Sequence, residues 1–203
     1  MVDHVVADRK AQLRATLLAS RRAVPAPVRS AEASALAAHA EDAVDTGDTV
    51  CAYVPVRSEP GSPELLERLR DRCARLLLPI VCMDAGEPVP LRWGAYVPGE
   101  LAAGRFGLLE PTGPALPPTA LADAAVVFVP ALAVDRHGVR LGRGGGFYDR
   151  SLIYRADDCK LVAVVRDSEI VETLPGDAHD IHMSHALSPH RGLTILNAPD
   201  NTV

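Results

Sequence analysis

The sequence predicts an α/β fold with a mostly parallel central sheet and helices on both faces, a three-layer, Rossmann-like arrangement with a small β-hairpin excursion. Helical segments alternate with short apolar segments along the chain. The apolar segments are nearly continuous, which indicates strands buried on both faces. Because no internal repeat or low-complexity linker interrupts the 203 residues, we expect a single domain over residues 1–203.

The N-terminal third predicts three helices. The segment from Asp8 to Arg22 contains no Gly or Pro and is rich in Ala, Leu and Arg. Prolines follow, and an Ala-rich segment from Val28 to about Val44 predicts the second helix. The third begins at Ser62-Pro63-Glu64, where a capping residue, a first-turn proline and an acidic first turn stand in order. Its apolar face comprises Leu65, Leu66, Leu69 and Cys73.

Buried strands are predicted at Thr49–Val54, Leu76–Val81, Ala125–Pro130 and Lys160–Val165. The longest apolar run, from Ala124 to Val134, has eleven residues, whereas a membrane-spanning helix needs about 20. The Pro- and Gly-rich segment from Pro88 to Pro118 predicts the hairpin excursion, in which Leu91–Tyr96 is a short β-like piece.

The composition of the chain limits the classes of function that we expect. The net charge of −5 argues against a general nucleic-acid-binding protein. The N-terminus lacks the basic segment and apolar core of a secretion signal. The four cysteines are widely spaced, which is typical of reduced thiols in the cytosol. We therefore expect a cytoplasmic protein with small-molecule ligands and neither nucleic acid nor membrane as a partner; a monomer is compatible with the sequence, which does not fix the oligomeric state.

A glycine-rich loop is the most informative feature. Arg140-Leu-Gly-Arg-Gly-Gly-Gly-Phe-Tyr-Asp149 lies between a predicted buried strand and a short helix that begins at Phe147. Glycines let backbone N–H groups approach an anion, and a helix N-terminus adds partial positive charge. Arg140 and Arg143 supply further positive charge, so the loop predicts a phosphate site.

Two familiar phosphate motifs do not fit this loop. A Walker A loop ends in Gly-Lys-Ser/Thr, and the dinucleotide fingerprint requires glycine where Phe147 stands. A flexible turn with solubilising arginines is the alternative. Asp149 stands where a carboxylate could meet Mg²⁺ carried by phosphates. A helix first-turn carboxylate is the alternative for that residue.

This loop is part of a longer match. Phe128–Asp135 followed by Gly138–Arg150 resembles the signature of the 5-formyltetrahydrofolate cyclo-ligases, also called methenyltetrahydrofolate synthetases. Further matches extend from Lys10 to about Ser188. The resemblance implies that the loop holds ATP phosphates and that Asp149 and Asp180 lie at Mg²⁺. It assigns ATP binding to Lys10, Arg14, Arg140, Leu141, Gly142, Arg143, Gly144, Gly145, Gly146, Phe147 and Tyr148.

The N-terminal helix predicts a cationic stripe. Lys10, Arg14 and Arg21 fall within roughly 40° of one another on a helix, beside leucines. Their spacing alone leaves a solvated face and a cleft-facing stripe equally open. Lys10-x-x-Leu13-Arg14 resembles the family's N-terminal K-x-x-L-R, which contacts ATP, and this favours the cleft.

Glu59 follows the first predicted strand, at the end where sheet folds of this class bind ligands. A lone loop glutamate is also commonly a solvated charge. The resemblance assigns folate binding to Val54, Glu59, Arg143 and Phe147. A carboxylate suits the paired N–H donors of the pterin's amino-pyrimidine edge.

Three features depart from the family or suggest other chemistry. Ser168 stands near a usual glutamine, and Ser184 stands where the family usually has a second aspartate after His179-Asp180. The spacing of His179, His182 and His185 suggests zinc, but no cysteine or clear carboxylate completes a tetrahedral set, so we interpret them as part of a polar tail.

The resemblance implies an ATP- and Mg²⁺-dependent conversion of 5-formyltetrahydrofolate to 5,10-methenyltetrahydrofolate, with release of ADP and phosphate. We expect Arg140, Arg143 and Tyr148 to act in catalysis, without a covalent nucleophile. The alternatives are a non-catalytic or altered-specificity nucleotide- or folate-binding paralogue, suggested by Ser168 and Ser184, and a phosphotransferase acting on another small acid.

Overall fold

The computed structural model describes residues 2–176 and 180–196, with side chains from Val6 onward. The helices are α1 (Val2–Ala23), α2 (Ala26–Ala40), α3 (Pro63–Arg72) and α4 (Phe147–Leu152). The strands are β1 (Thr49–Cys51), β2 (Arg75–Ile80), β3 (Met83–Asp84), β4 (Glu87–Pro88), β5 (Arg92–Ala95), β6 (Leu101–Ala103), β7 (Leu109–Pro111), β8 (Ala124–Pro130), β9 (Ala133–Asp135), β10 (Arg140–Leu141), β11 (Lys160–Val164), β12 (Ile170–Val171), β13 (His185–Ser188) and β14 (Gly192–Ile195).

A seven-stranded sheet in the order β14-β13-β11-β8-β1-β2-β5 forms the centre of the molecule. Five neighbouring strands, from β13 to β2, are parallel. The two edge strands are antiparallel to their neighbours. The predicted α/β class with a mostly parallel sheet is therefore confirmed.

Alternate residues of the central strands enter two different cores. Val126 and Phe128 pack with α2 and α3, whereas Val127 and Val129 pack with Trp93 and Leu152 on the other face. All of these side chains are buried, as the near-continuous apolar strands predict.

Helix α1 packs against a smaller sheet, not the central one. Strands β10, β9 and β12 form this three-stranded sheet, and Leu13 and Leu17 of α1 contact Leu141 and its neighbours there. The helix ends at Ala23, because Pro25 disfavours helical geometry at the residue before it. Among the described residues, no helix is long and apolar enough to cross a membrane.

The predicted hairpin excursion is only partly right. The segment contains a real hairpin, β6–β7, but Arg92–Ala95 is the edge strand of the central sheet. It pairs antiparallel with β2, an arrangement that hydrophobic periodicity does not reveal.

The interpretation of the last histidines as a polar tail is wrong. His185 begins β13, an inner strand between β11 and β14. Its short length and the Pro189-His190 turn after it hide this strand in the sequence. His182 contacts the carbonyl of His137 through Nδ1 at 2.9 Å, and His179 lies outside the described residues.

Two local predictions also need correction. Ser62 precedes α3, but its hydroxyl forms no capping hydrogen bond; its backbone carbonyl accepts from Leu65 N–H at 3.1 Å. The glycine-rich loop does not follow the central strand directly. A hairpin, β9–β10, intervenes, because the chain turns back at residues 136–139 before it enters the loop.

Candidate active site

A cavity of about 520 Å³ lies where three neighbouring parallel strands end. Pro79 and Val81 line it at the end of β2, Tyr53 and Val54 after β1, and Pro130 at the end of β8. Ligands in open α/β sheets bind outside the carboxyl ends of strands, so this is where the fold favours a site.

Every residue predicted for the site lines this one cavity. They are Lys10, Arg14, Val54, Glu59, Arg140, Leu141, Gly142, Arg143, Gly144, Gly145, Gly146, Phe147, Tyr148, Asp149 and Asp180. The structure thus brings together residues that are up to 170 positions apart in sequence. Their individual roles remain predictions.

The glycine-rich loop needs its glycines for backbone conformation. Gly144 has φ +96° and Gly146 has φ +67°, both in the left-handed region that side chains disfavour. Turns of this kind direct successive N–H groups into an anion-binding concavity. Helix α4 has only six residues, so its dipole adds less than expected, and the loop amides and arginines are the other sources of positive potential.

Arg140 and Tyr148 both line the cavity, and each has a buried polar atom without a partner in the described part of the chain. Nε of Arg140 and the hydroxyl of Tyr148 are buried and have no hydrogen-bond partner among the described residues. The guanidinium carbon lies 5.8 Å from the centre of the Tyr148 ring. Buried donors without partners are costly, so these two atoms indicate a ligand.

The phenol of Tyr148 remains protonated. Burial, and to a lesser extent the charge of Glu59, raise the pKa of Tyr148 far above its ordinary value. The hydroxyl is therefore available as a hydrogen-bond donor to an oxygen atom of a ligand.

The cationic stripe of α1 faces the protein. Nε of Arg14 donates to the carbonyl of Gly142 at 2.9 Å, which attaches the helix to the loop. Nζ of Lys10 lies 3.3 Å from Oδ2 of Asp180, and the Lys10 side chain is 13% exposed. The solvated-face alternative therefore does not hold for these side chains.

Glu59 and Arg143 form an ion pair. Nε of Arg143 lies 2.9 Å from Oε1 of Glu59, and Oε2 of Glu59 accepts from Val56 N–H at 3.0 Å. The glutamate side chain is only 9% exposed, whereas that of Arg143 is 42% exposed. Glu59 is therefore a positioned group of the cavity and not a solvated loop charge.

The two carboxylates predicted for Mg²⁺ are each paired with a cation. Asp149 accepts from Nη2 of Arg140, and Asp180 pairs with Lys10. Among the described residues, no three His, Cys, Asp or Glu side chains lie close enough to hold a metal ion by themselves. This donor set fits a magnesium ion that arrives with a nucleotide, since such ions take one or two carboxylates and fill other positions with phosphate oxygens and water.

The cavity also contains Arg21, which belongs to the predicted stripe of α1, and Phe106, to which sequence reasoning gave no role in the site. Arg21, the third cation of the α1 stripe, is buried: its Nε and Nη2 each lie 2.7 Å from a carboxylate oxygen of Glu169, and Nη2 also donates to the carbonyl of Ala131 at 2.6 Å. Phe106 is 64% exposed, and its ring lies 6.2 Å from that of Phe147. The spacing from Lys10 and Arg14 had placed Arg21 in the stripe. Phe106 was recognisable only as the start of Phe106–Pro111, a segment that also resembles the family.

The two departures from the family pattern lie elsewhere. Ser168 is exposed in a 3-10 turn after β11. The hydroxyl of Ser184 accepts from Leu161 N–H at 3.0 Å and contacts Nδ1 of His185 at 2.8 Å, which joins two strands. Neither residue lines the cavity.

Comparison with known proteins gives one family. A model of the 5-formyltetrahydrofolate cyclo-ligase family matches residues 6–189. The chain is 52% identical over 188 residues to a 5-formyltetrahydrofolate cyclo-ligase of Mycolicibacterium smegmatis, across 92% of this chain and 97% of that protein. It is 30% identical over 145 residues to the cyclo-ligase of Escherichia coli K12, across 70% and 79% of the two chains.

A solved structure has the same fold. The NMR structure of Aquifex aeolicus 5,10-methenyltetrahydrofolate synthetase superimposes with a TM-score of 0.74 at 24% identity, over 96% of both chains. That likeness shows the arrangement of helices and strands described above.

Proposed function

The chain belongs to the 5-formyltetrahydrofolate cyclo-ligase family, and we propose that it converts 5-formyltetrahydrofolate and ATP to 5,10-methenyltetrahydrofolate, ADP and phosphate. One observation supports this proposal and connects it with particular residues. The glycine-rich loop, two buried donors without partners and the positioned Glu59 all line one cavity. A phosphate-binding end and a carboxylate for an amino-pyrimidine are what the two substrates require.

The reaction needs a leaving group. A formamide oxygen departs poorly, so the formyl oxygen attacks the γ-phosphorus of ATP, and ADP leaves. N10 then attacks the formyl carbon, loses its proton to solvent and expels the oxygen as phosphate. The ring closes, and the nitrogen–carbon–nitrogen unit of the product keeps one positive charge.

In this scheme the protein positions the reactants and stabilises charge. Arg140, Arg143 and the loop N–H groups contact the transferring phosphoryl oxygens, while Lys10 and Arg14 bind the rest of the triphosphate. The protonated hydroxyl of Tyr148 donates to the formyl or phosphoryl oxygen. No side chain forms a covalent bond with the substrate.

Glu59 holds the pterin in this proposal. Its carboxylate accepts from the amino-pyrimidine edge, next to Val54 and the ring of Phe147, which also line the cavity. Arg143 then exchanges part of its contact with Glu59 for a phosphoryl oxygen. This exchange brings the two substrates together at one ion pair.

Asp149 and Asp180 would hold the magnesium ion that accompanies ATP. A bound magnesium ion supplies charge neutralisation of the β- and γ-phosphates. Asp149 also orients Arg140 through their hydrogen bond. The four cysteines are free, which supports our proposal that the enzyme works in the reducing cytoplasm.

A non-catalytic paralogue is the rival function. Ser168 and Ser184 suggested it, yet neither side chain lines the cavity, so the structure offers no reason for lost catalysis. Binding of both ligands without turnover would favour this rival.

An absorbance assay tests the proposal. Purified protein with 5-formyltetrahydrofolate, ATP and Mg²⁺ should produce methenyltetrahydrofolate, and omission of ATP should abolish the signal. Arg143→Ala should lower kcat by at least about a hundredfold without unfolding the protein. Arg191→Gln, an exposed arginine at the β13–β14 turn, is the matched control. Wild-type turnover in Arg143→Ala would contradict the scheme.

A further inference from the structure

A second cavity, of about 480 Å³, adjoins the proposed active site and is lined mostly by arginines. Its lining residues are Leu18, Arg22, Arg29, Arg57, Ser58 and Arg143. Arg57 and Arg143 line both cavities, so the two spaces share a wall. The proposed reaction has so far given no role to Arg22, Arg29 or Arg57. We refer to this space as the arginine cavity.

The charge of the arginine cavity is opposite to that of the whole chain. The protein has a net charge of −5, but four guanidinium groups and no carboxylate line this space. Like charges brought together raise the local potential and attract anions. A surface that merely solubilises an acidic protein would not collect four cations in one concavity.

Two of the four guanidinium groups lack protein partners in the part of the chain that the structure describes. Within the described residues, the side chains of Arg22 and Arg57 form no ion pair or hydrogen bond. Arg29 donates from Nη1 to the carbonyl of Val24 at 2.6 Å, and Arg143 has Glu59. The cavity therefore has many N–H donors that remain for a ligand.

The backbone at Arg57 supports a functional role. Arg57 has φ +57°, a left-handed conformation that is uncommon for a residue other than glycine. Strained backbone is concentrated at ligand sites, where the surrounding structure maintains it. Here it places a long cationic side chain at the wall shared by the two cavities.

We propose that the arginine cavity binds the carboxylates at the glutamate end of the folate substrate. The inference rests on the proposed function. In that function the pterin lies at Glu59, which is paired with the shared Arg143, while the substrate has its two carboxylates at the opposite end of the molecule. Guanidinium groups bind carboxylates through paired, charge-assisted hydrogen bonds. The ATP phosphates are already assigned to the glycine-rich loop. Residues 144–146 of that loop line the first cavity and not the arginine cavity.

A truncated substrate gives the decisive experiment. The double variant Arg22→Gln/Arg57→Gln is compared with wild type on 5-formyltetrahydrofolate and on 5-formyltetrahydropteroyl amide, in which a neutral carboxamide replaces the glutamate. We expect kcat/KM for the complete substrate to fall by about tenfold in the variant, since these exposed charges each contribute a few-fold. On the neutral analogue, the variant and wild type should agree within about twofold, and KM for ATP should stay constant. Arg191→Gln controls for the loss of an exposed arginine.

Three results would overturn the proposal. They are an equal loss on both substrates, no loss on either substrate, or a rise in KM for ATP alone. If wild type has no turnover, the proposed function fails instead, and calorimetric titration with each folate separates the two questions. Equal dissociation constants of wild type and variant for 5-formyltetrahydrofolate would then reject the arginine cavity as its carboxylate site.

Discussion

Arg143 and Glu59 form an ion pair, with Nε 2.9 Å from Oε1, between the glycine-rich loop and the segment after β1. One residue of the pair is proposed to contact phosphate and the other to contact the pterin. Binding of ATP should weaken the ion pair between Arg143 and Glu59. The Glu59 carboxylate can then accept hydrogen bonds from the folate more readily. The two substrates are then expected to bind with positive coupling.

Glu59→Gln tests both parts of this relationship. A neutral amide loses the charge-assisted bonds to the pterin and to Arg143, so KM for 5-formyltetrahydrofolate should rise about tenfold to a hundredfold. The dissociation constant of folate, measured by calorimetry with and without a non-hydrolysable ATP analogue, should also lose its dependence on nucleotide. Unchanged folate affinity in this variant would show that Glu59 does not contact the substrate.

Tyr148→Phe separates a catalytic hydroxyl from a structural one. The hydroxyl is buried without a protein partner, so its removal should leave the free energy of unfolding unchanged or slightly higher. If it donates to a reacting oxygen, kcat should fall about tenfold to a hundredfold. Because burial raises the pKa of Tyr148 above its ordinary value of 10, wild-type kcat should show no loss from phenol ionisation as the pH approaches 10. Loss of stability together with normal kcat would indicate a packing role instead.

Gly146→Ala tests the conformation of the loop. Gly146 has φ +67°, and an alanine there should cost about 1–2 kcal/mol because of its left-handed backbone. A Cβ would also lie 2.2 Å from Nη1 of Arg150, whose flexible end can move aside. We expect KM for ATP to rise and the melting temperature to fall. Gly113→Ala, where a Cβ meets nothing within 4 Å, should change neither, and equal behaviour of the two variants would contradict this account.

Arg21 and Glu169 form a buried ion pair that connects α1 to the 3-10 turn after β11. Their side chains are 1% and 5% exposed. Arg21→Met leaves the glutamate charge without its partner and should lower the free energy of unfolding by about 3–5 kcal/mol. Urea denaturation should show that adding Glu169→Gln recovers part of this loss. Strictly additive effects of the two substitutions would mean that the pair does not act as a unit.

His185 should make stability depend on pH. Burial, followed by the charge of Lys160, lowers the pKa of His185 below its ordinary value of 6.5. The folded protein then binds fewer protons than the unfolded chain, so this contribution is complete above the unfolded pKa and is lost as pH falls through 6.5 toward the folded pKa. Urea unfolding at about pH 7.5 and about pH 5.5 should show a smaller pH difference for His185→Gln than for wild type. An unchanged difference would assign the dependence to other groups.

Strands and helices were predictable where local pattern and burial agree. Ala124–Pro130 and Lys160–Val164 are continuous apolar runs because both faces of the parallel sheet are covered. Strand β13 was not predictable, since its four residues include His185 and Ser188. Edge strand β5 was predicted as a short β-like piece, but its place in the central sheet was not, because its pairing with β2 is determined by tertiary packing.

The site shows the same division. The glycine-rich loop could be recognised from the sequence. Two of its residues adopt backbone conformations that favour glycine, and this requirement appears in the sequence as a run of glycines. The arginine cavity could not be recognised in this way. Arg22, Arg29 and Arg57 are separated in the sequence, and each by itself resembles an ordinary surface charge.

The sequence by itself determined the fold class, the family and the residue types of the phosphate loop, because these depend on local conformation and on a long contiguous match. Only the tertiary structure decided that Arg143 meets Glu59, that Arg21 is buried against Glu169 and that four arginines share one concavity. Such pairings join residues that are distant along the chain. Their energy depends on distance, burial and the neighbouring charges, and those quantities exist only once the chain has folded.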